Sequence, residues 1–398
     1  MNSSLYLLII SALIAFSCKQ QQIVTSIPIT DKQQDKDTVH QATPLQSFLI
    51  TYDGDTLDSL GVEVDIELFR VKKDTLIIIG VGDIMMGTNF PSDEYLPADN
   101  ARGLWTDVRD TLRQADVTFG NLEGVILNEG GNQKNCNNPK VCYLFRSPDS
   151  YVDNLVQAGF DVVSLANNHA GDFGTPGRES TMHVLKVAGI EYAGLQTDPI
   201  TIFKRNGMTY GLAAFSPNTG TQLIHDLPRA KELVSYLDSL VDVVIVSFHA
   251  GAEGAEHQHV TRKREFYYGE DRGNVYEFAR QMIDAGADVI FGHGPHVTRA
   301  MDVYKDRFIA YSLGNFCTYG RFNLSGVKGI APIAKIYTDG EGRFLKGELI
   351  STYQPGAGGA RFDAQNRAAL KAKELTQKDF PESRLRIDDS GFIFYLDR

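Results

Sequence analysis

From Thr75 onward the chain alternates short, wholly apolar runs with amphipathic stretches and turn residues. The runs TLIIIGVG, DVTFG, DVVSLA, YGLAAF, DVVIVSFH, DVIFGH and RFIAYSL are short, rich in β-branched and aromatic residues, and bounded by turn residues, as buried strands are. Between them, residues 150–158, 177–188, 229–240 and 273–285 carry apolar positions at helical spacing. Alternation of buried strand and helix predicts an α/β domain with a mostly parallel sheet over residues 75–355. The later strand segments, 298–313 and 328–354, come without helices between them, which predicts a part of the sheet that is antiparallel or mixed. Ahead of this domain, residues 47–73 alternate polar and apolar, as in Val62-Glu63-Val64-Asp65-Ile66-Glu67-Leu68, and predict a small β extension. Residues 19–46 are polar, Gln-rich and without period, the composition of a flexible tether. Residues 356–398 read as an extension packed on the domain.

The beginning of the chain changes the picture. MNSSLYLLIISALIAFS is an apolar run too short to span a bilayer comfortably but long enough for the core of an export signal. It ends in Ala15-Phe16-Ser17-Cys18, the order of a bacterial lipobox, although no Lys or Arg precedes the apolar core. The ordinary alternative is signal cleavage beside an incidental cysteine. The expectation is a lipoprotein signal over residues 1–18, lipidation at Cys18, and a protein exported and anchored to the membrane on the periplasmic or extracellular face of the cell envelope. In that compartment disulfides persist, so Cys136 and Cys142 are expected to close a loop, whereas Cys317 reads as a small buried residue. With 398 residues, 42% of them hydrophobic, the chain can bury a sizeable core. Its formal net charge of −11 argues against a nucleic-acid partner. An acidic polymer would have to be held by a local cationic patch or by bound metal.

The candidate chemistry lies where the apolar runs end. Five of them lead into polar residues: Asp83; Asn121 and Glu123; Asn167, Asn168 and His169; His249; and His293 with His296. Each group alone has an ordinary explanation, since Gly-Asp makes turns, Asn-Asn caps chains and a single buried histidine commonly satisfies a hydrogen bond. In an open α/β sheet, however, ligands bind outside the carboxyl ends of the strands. Oxygen and imidazole donors recurring at successive strand ends are what a site for one or two divalent ions requires.

The ordered series GVGDIMMG, FGNLEG, GFDVVSLANNHAGDFG, VSFHAGAEG, DAGADVIFGHGPHV and IAYSLGNF resembles the motif series of the CapA, or poly-γ-glutamate capsule biosynthesis, family over about residues 76–355. The resemblance implies a calcineurin-like metallophosphoesterase fold of two packed mixed β-sheets flanked by helices, with metal at the sheet edge. It implies metal ligation by Asp83, Glu123, Asn168, His249, His293 and His296, with Glu123 where phosphoesterases place a bridging aspartate. Two departures stand out. Met85 occupies the place of a companion histidine, and Gly294 stands at the centre of a G-x-H-P-H motif, leaving His293 one residue early.

The expected cofactor is Mn, Fe or Zn, as one or two ions. Besides ligation, Asp83 and His169 are the candidate catalytic residues, His169 as a proton donor to a leaving group or a holder of an oxyanion. Glu253, Arg272 and Asn315 are expected at the substrate, Asn315 also as an orienter of a metal ligand, and Arg262, Lys263 and Arg264 are further candidates to receive an anion. Two readings of function remain. One is a metal-dependent hydrolase or transferase acting on phosphorylated or γ-glutamyl substrates, or on an acidic extracellular polymer. The other is a non-catalytic polymer-binding or scaffolding component beside membrane synthase or export partners.

Overall fold

The computed structural model describes residues 73–135 and 142–396, together with two short strands, Ile23–Thr25 and Phe48–Ile50. The chain divides into two units, residues 1–69 and 70–398. In the first, the two short strands pair antiparallel. Ile23–Thr25 is thus a strand inside the stretch expected to be a tether, its three residues too few to register as alternation. The expected signal segment, Cys18 and Cys136 lie outside the described residues.

The second unit is built on two sheets. The larger contains β1 (Leu76–Met85), β2 (Val117–Leu122), β3 (Val162–Ser164) and β4 (Glu191–Ala193), all parallel and adjacent in that order. The smaller contains β5 (Ile200–Arg205), β6 (Met208–Phe215), β7 (Val243–His249), β8 (Val289–His293), β9 (Met301–Tyr304) and β10 (Arg307–Ala310). Its spatial order is β9-β10-β8-β7-β6-β5, with β6, β7, β8 and β10 parallel and both edge strands antiparallel. The chain then returns to the larger sheet. β11 (Asn315–Thr318) lies parallel to the end of β1, and β12 (Ile330–Thr338) and β13 (Phe344–Tyr353) extend it antiparallel.

The sheets face each other across an apolar layer that includes Ile78, Phe119, Val162, Ile245, Val289 and Phe291. Phe119 and Phe291 stack at 5.5 Å, and a Cβ on Gly80 would stand 2.4 Å from the Phe291 ring, so only glycine permits this approach. Helices α1 (Val152–Ala158) and α2 (Gly174–Val187) pack on the outer face of the larger sheet through Leu155, Ala158 and Leu185. Helices α3 (Leu227–Asp238) and α4 (Val275–Asp284) cover the outer face of the smaller sheet. Each starts at a side-chain cap, Asp226 accepting from Arg229 N–H and Asn274 from Glu277 N–H. The result is helix, sheet, sheet, helix: the flanked two-sheet architecture that the motif series implied.

Residues beyond 355 are integral to it. α5 (Arg367–Asp379) places Ala369 and Ala372 in the layer between the sheets. β14 (Leu385–Ile387) and β15 (Phe392–Tyr395) continue the larger sheet through pairing of Gly347 with Ile393. Cys317 is buried with a free thiol, and Cys142 is disulfide-bonded.

Candidate metal centre

Strand periodicity aims most of the site. Along β2, Val117 and Phe119 face the smaller sheet, so Asn121 and then Glu123 do too. Along β7, Val243 and Ile245 set the same parity for His249, and along β8, Val289 and Phe291 set it for His293. Paired β7 and β8 bring His249 and His293 side by side. Asp83 breaks the rule. Leu76 and Ile78 face inward while Ile79 and Val81 face the helices, so strict alternation would turn Asp83 outward. The pairing of β1 with β2 slips between Gly80 and Asp83, and this irregularity swings the carboxylate into the crevice. Gly82 lets the bend close, because a Cβ there would stand 2.0 Å from Gly314 O, while Asp83 N–H donates to that carbonyl at 2.8 Å.

His296 arrives on a loop. Its backbone is left-handed, with φ of 57°, a conformation unusual outside glycine and concentrated at functional sites. Gly294, the departure from the expected motif, is tight against the neighbouring loop, where a Cβ would lie 2.7 Å from Ala250 N. A histidine at 294 has no room. His293 points into the crevice from the strand itself, its Nδ1 3.3 Å from Asp83 Oδ1 but too poorly aligned to be a hydrogen bond.

Asp83, Glu123, His249 and His296 each offer a ligand atom, and these atoms lie within 4.8 Å of one another. Glu123 is central: its Oε1 is 3.7 Å from Nε2 of His169, of His249 and of His296. Those separations are too long for hydrogen bonds and leave space for an ion between the donors. The orienting contacts surround the cluster. His296 Nδ1 is 2.9 Å from Asp83 Oδ2 and 3.1 Å from Asn315 Oδ1, which fixes the proton on Nδ1 and turns Nε2 toward Glu123. Asn121 Nδ2 donates to Asp83 Oδ1 at 2.9 Å, and Asn167 Nδ2 donates to Asn121 Oδ1 at 3.2 Å.

The residues fit a divalent ion. Both oxygens of Glu123 and both ring nitrogens of His249 and His293 are buried without a hydrogen-bond partner among the described residues, as is Asn168 Oδ1. Each unsatisfied buried polar group costs about 1–3 kcal/mol, so together they rival the ~5–15 kcal/mol that ordinarily separates folded from unfolded chains. A cation bonded to the Glu123 carboxylate and to one nitrogen of each ring would remove the cost at those atoms. Of the expected ligands, then, Asp83, Glu123, His249 and His296 meet in one cluster, with His293 against Asp83.

Electrostatics say the same. Burial pushes the Glu123 carboxyl well up, with Asp83 and Glu253 adding to it against His296. Burial likewise drives the His249 imidazole well down. For His296, burial is outweighed by Glu123 and Asp83, which push it up to about 10. Burial alone would raise Asp83, but His293 and His296 hold it well below the usual carboxylate range.

His169 borders the cluster and is anchored from behind. Its Nδ1 meets Asp172 Oδ2 at 2.7 Å, and the same oxygen accepts Phe145 N–H at 2.8 Å. Lys134 neutralises Asp172 from the other side at 3.1 Å, and the Phe145 ring lies 4.2 Å from the imidazole. Sequence reasoning overlooked Asp172. Its only signal was a carboxylate three residues after a histidine in a turn. Asn315 is 1% exposed; its Nδ2 donates to His296 O and Lys328 O and its Oδ1 meets His296 Nδ1, so it orients His296. Glu253 and Arg272 pair at 2.7 Å. Arg262 pairs with Glu382 and Arg264 with Asp271, the fate of most surface cations.

The sequence profile of the family described as bacterial capsule synthesis protein PGA_cap matches residues 77–319, more than half the chain. The capsule biosynthesis protein CapA of Bacillus anthracis is 30% identical over 267 residues, covering 62% of this chain and 60% of that protein. The PGA biosynthesis protein CapA of Bacillus subtilis is 29% identical over 259 residues, covering 61% and 63%. The match therefore spans less than two thirds of these relatives' own length. Among solved structures, purple acid phosphatase PPD1 from yellow lupin superposes with a TM-score of 0.35 at 10% identity, over 70% of this chain and 51% of that one.

Proposed function

The chain belongs to the bacterial capsule synthesis protein (PGA_cap) family, related to the calcineurin-like metallophosphoesterases, and from that premise we propose a metal-dependent, phosphoesterase-type hydrolase that handles an extracellular polymer. The observation that carries this reading is the convergence of Asp83, Glu123, His249 and His296, with the oxygens of Glu123 and the ring nitrogens of His249 buried and unpaired among the described residues. Asp83, Glu123, His249 and His296 are the ligands in this proposal, with His293 and Asn168 at its margin. A divalent ion bound there supplies Lewis acidity and an activated water. The chain's own residues do the rest. Asn315 and Asp83 hold the His296 ring in one tautomer, Asn121 and Asn167 hold Asp83, and Asp172 holds His169 with Nε2 toward the cluster. From that position His169 delivers a proton to the leaving group.

Export and lipidation at Cys18 belong to the same proposal, since the relatives are named for capsule and PGA biosynthesis. No described helix is long and apolar enough to cross a membrane. The substrate is proposed to be phosphorylated or γ-glutamyl. A second reading, polymer binding without turnover, is favoured by Met85, which stands where the phosphoesterases carry a further histidine and which is buried with its sulfur accepting Gly87 N–H.

The deciding experiment is elemental analysis of the purified protein beside Asp83→Ala and His249→Ala. Mn, Fe or Zn near stoichiometry in the wild type and at least tenfold less in both variants is expected, followed by turnover in a screen of phosphodiesters and γ-glutamyl peptides. Wild-type protein that takes up no metal after reconstitution would sink the hydrolase and leave the polymer-binding reading.

A further inference from the structure

Arg272 is only 2% exposed, yet its guanidinium is half used. Nη1 donates to Glu253 Oε1 at 2.7 Å and lies 3.9 Å from Glu270 Oε2. Nε and Nη2 are buried with no acceptor among the described residues. Those two nitrogens form one edge of the planar group, the edge that grips a carboxylate or phosphoryl oxygen pair with two parallel hydrogen bonds. A buried charge with unmade hydrogen bonds is among the more destabilising features a fold can keep, so its retention calls for a partner.

The neighbouring buried arginine shows what a purely structural one looks like. Arg299 uses Nη1 and Nη2 on Glu265 at 3.0 and 2.8 Å, Nε on the carbonyl of His257 and Nη2 again on that of Ala252, so each of its nitrogens has an acceptor. That satisfied pair also fixes the loop that follows His249, because Glu265 Oε2 accepts Ala252 N–H at 2.8 Å. Arg272 is held in the same frame. Its N–H donates to Glu265 O at 2.8 Å, and its carbonyl accepts from Gly251 at 2.9 Å, two residues beyond His249. Glu253 and Arg272 are thereby fixed on and against the segment that follows His249.

We propose that the Nε/Nη2 edge of Arg272 is an anion subsite beside the metal cluster, receiving a carboxylate or phosphoryl group of the substrate other than the group that reacts. The substrate class of the centre is then a molecule with two anionic groups a short distance apart. Glu253 occupies Nη1, keeps the arginine from turning away and sets a ceiling on anion affinity through its own negative charge. This inference rests on the metal-centre reading for its role in turnover, but the subsite itself can be tested separately.

The test is calorimetric titration of metal-loaded protein with inorganic phosphate and with glutarate, for wild type, Arg272→Gln, Arg272→Lys and Glu253→Gln, with metal content and thermal melts measured alongside. Binding of at least one probe is expected in the wild type. Arg272→Gln should weaken it at least tenfold with metal content unchanged. Glu253→Gln should tighten it severalfold, because the amide oxygen still holds Nη1 in place while the repelling charge is removed. The probe that responds identifies the anion as phosphoryl or carboxylate. Should Arg272→Gln fail to fold, Arg272→Lys keeps the charge but lacks the two-donor edge, and severalfold weakening with an intact melt supports the subsite. Wild-type affinity for both probes in a folded Arg272 variant, no binding of either probe by the wild type, or weakening in Glu253→Gln overturns it. If the wild type holds no metal, the hydrolase reading fails on that measurement, while the same titrations on the metal-free protein still decide the subsite.

Discussion

At His169 the orientation of one ring depends on a carboxylate that is itself fully buried. Asp172 has its charge met by Lys134, Phe145 N–H and His169 Nδ1, so the imidazole must present Nε2 to the cluster. Replacing His169 by Gln should leave metal content unchanged and lower turnover by about 10²–10⁴-fold, the usual worth of a general acid. Asp172→Asn should retain metal and lower turnover less, about 10–100-fold as for other residues that orient a working group. Single-turnover kinetics on metal-matched protein would check both, and unchanged rates would assign His169 a structural role. The residue scale also shows where sequence reading stops. His249 and Glu123 follow from the parity of their strands, whereas Asp172 and the orienting pair Asn121 and Asn167 act through contacts that no spacing announces.

Between elements, the opening strand of the larger sheet is tied at the end away from the site. Asp116, just before β2, accepts from Lys73 Nζ at 2.6 Å, from Ile77 N–H at 2.9 Å and from Asn206 Nδ2 at 2.9 Å. Burial by itself would raise this carboxyl, but the three donors outweigh it and hold it below its ordinary 3.8. The folded state therefore favours the ionised form. Its contribution is fully present above the unfolded value and is lost as pH falls through the lower folded one. Asp116→Asn should lower the melting temperature by a few degrees at neutral pH, about what a loss near 1 kcal/mol produces in a domain of this size. Melts in acid, below the folded value, should bring wild type and variant together. A gap that persists there would assign the effect to packing.

For the whole molecule, the segment after residue 355 decides integrity. Leu385, Ile387 and Ile393 are buried in the layer between the sheets, joined there by Ala369 and Ala372 of α5. Burying a large aliphatic side chain is worth about 1.5–3 kcal/mol, so losing three of them approaches the whole ~5–15 kcal/mol of a typical fold. A chain ending at residue 355 should lack a cooperative thermal transition and should not retain metal. Circular dichroism melts would show it, and a truncated protein that melts cooperatively and binds metal would make the segment dispensable.

The sequence by itself determined the strand-and-helix order, the antiparallel pairing within 298–313 and 328–354, and the polar residues at strand ends. Each is written in local periodicity, because burial on a sheet face repeats every second residue. It also marked Asp83, Glu123, His249 and His296 for the centre, and the tertiary structure brought their ligand atoms within 4.8 Å of one another. Only that structure decided how Asp83 gets there, through a slipped register against β2 and the close approach of Gly82 to Gly314. It likewise decided that Asn315 serves His296, that Arg272 is buried with a free edge while Arg262 and Arg264 are paired, and that the last forty residues complete the sheet they were expected only to lean on. A register slip, a satisfied charge and a sheet edge are properties of two segments far apart in the chain, and no local pattern of either one contains them.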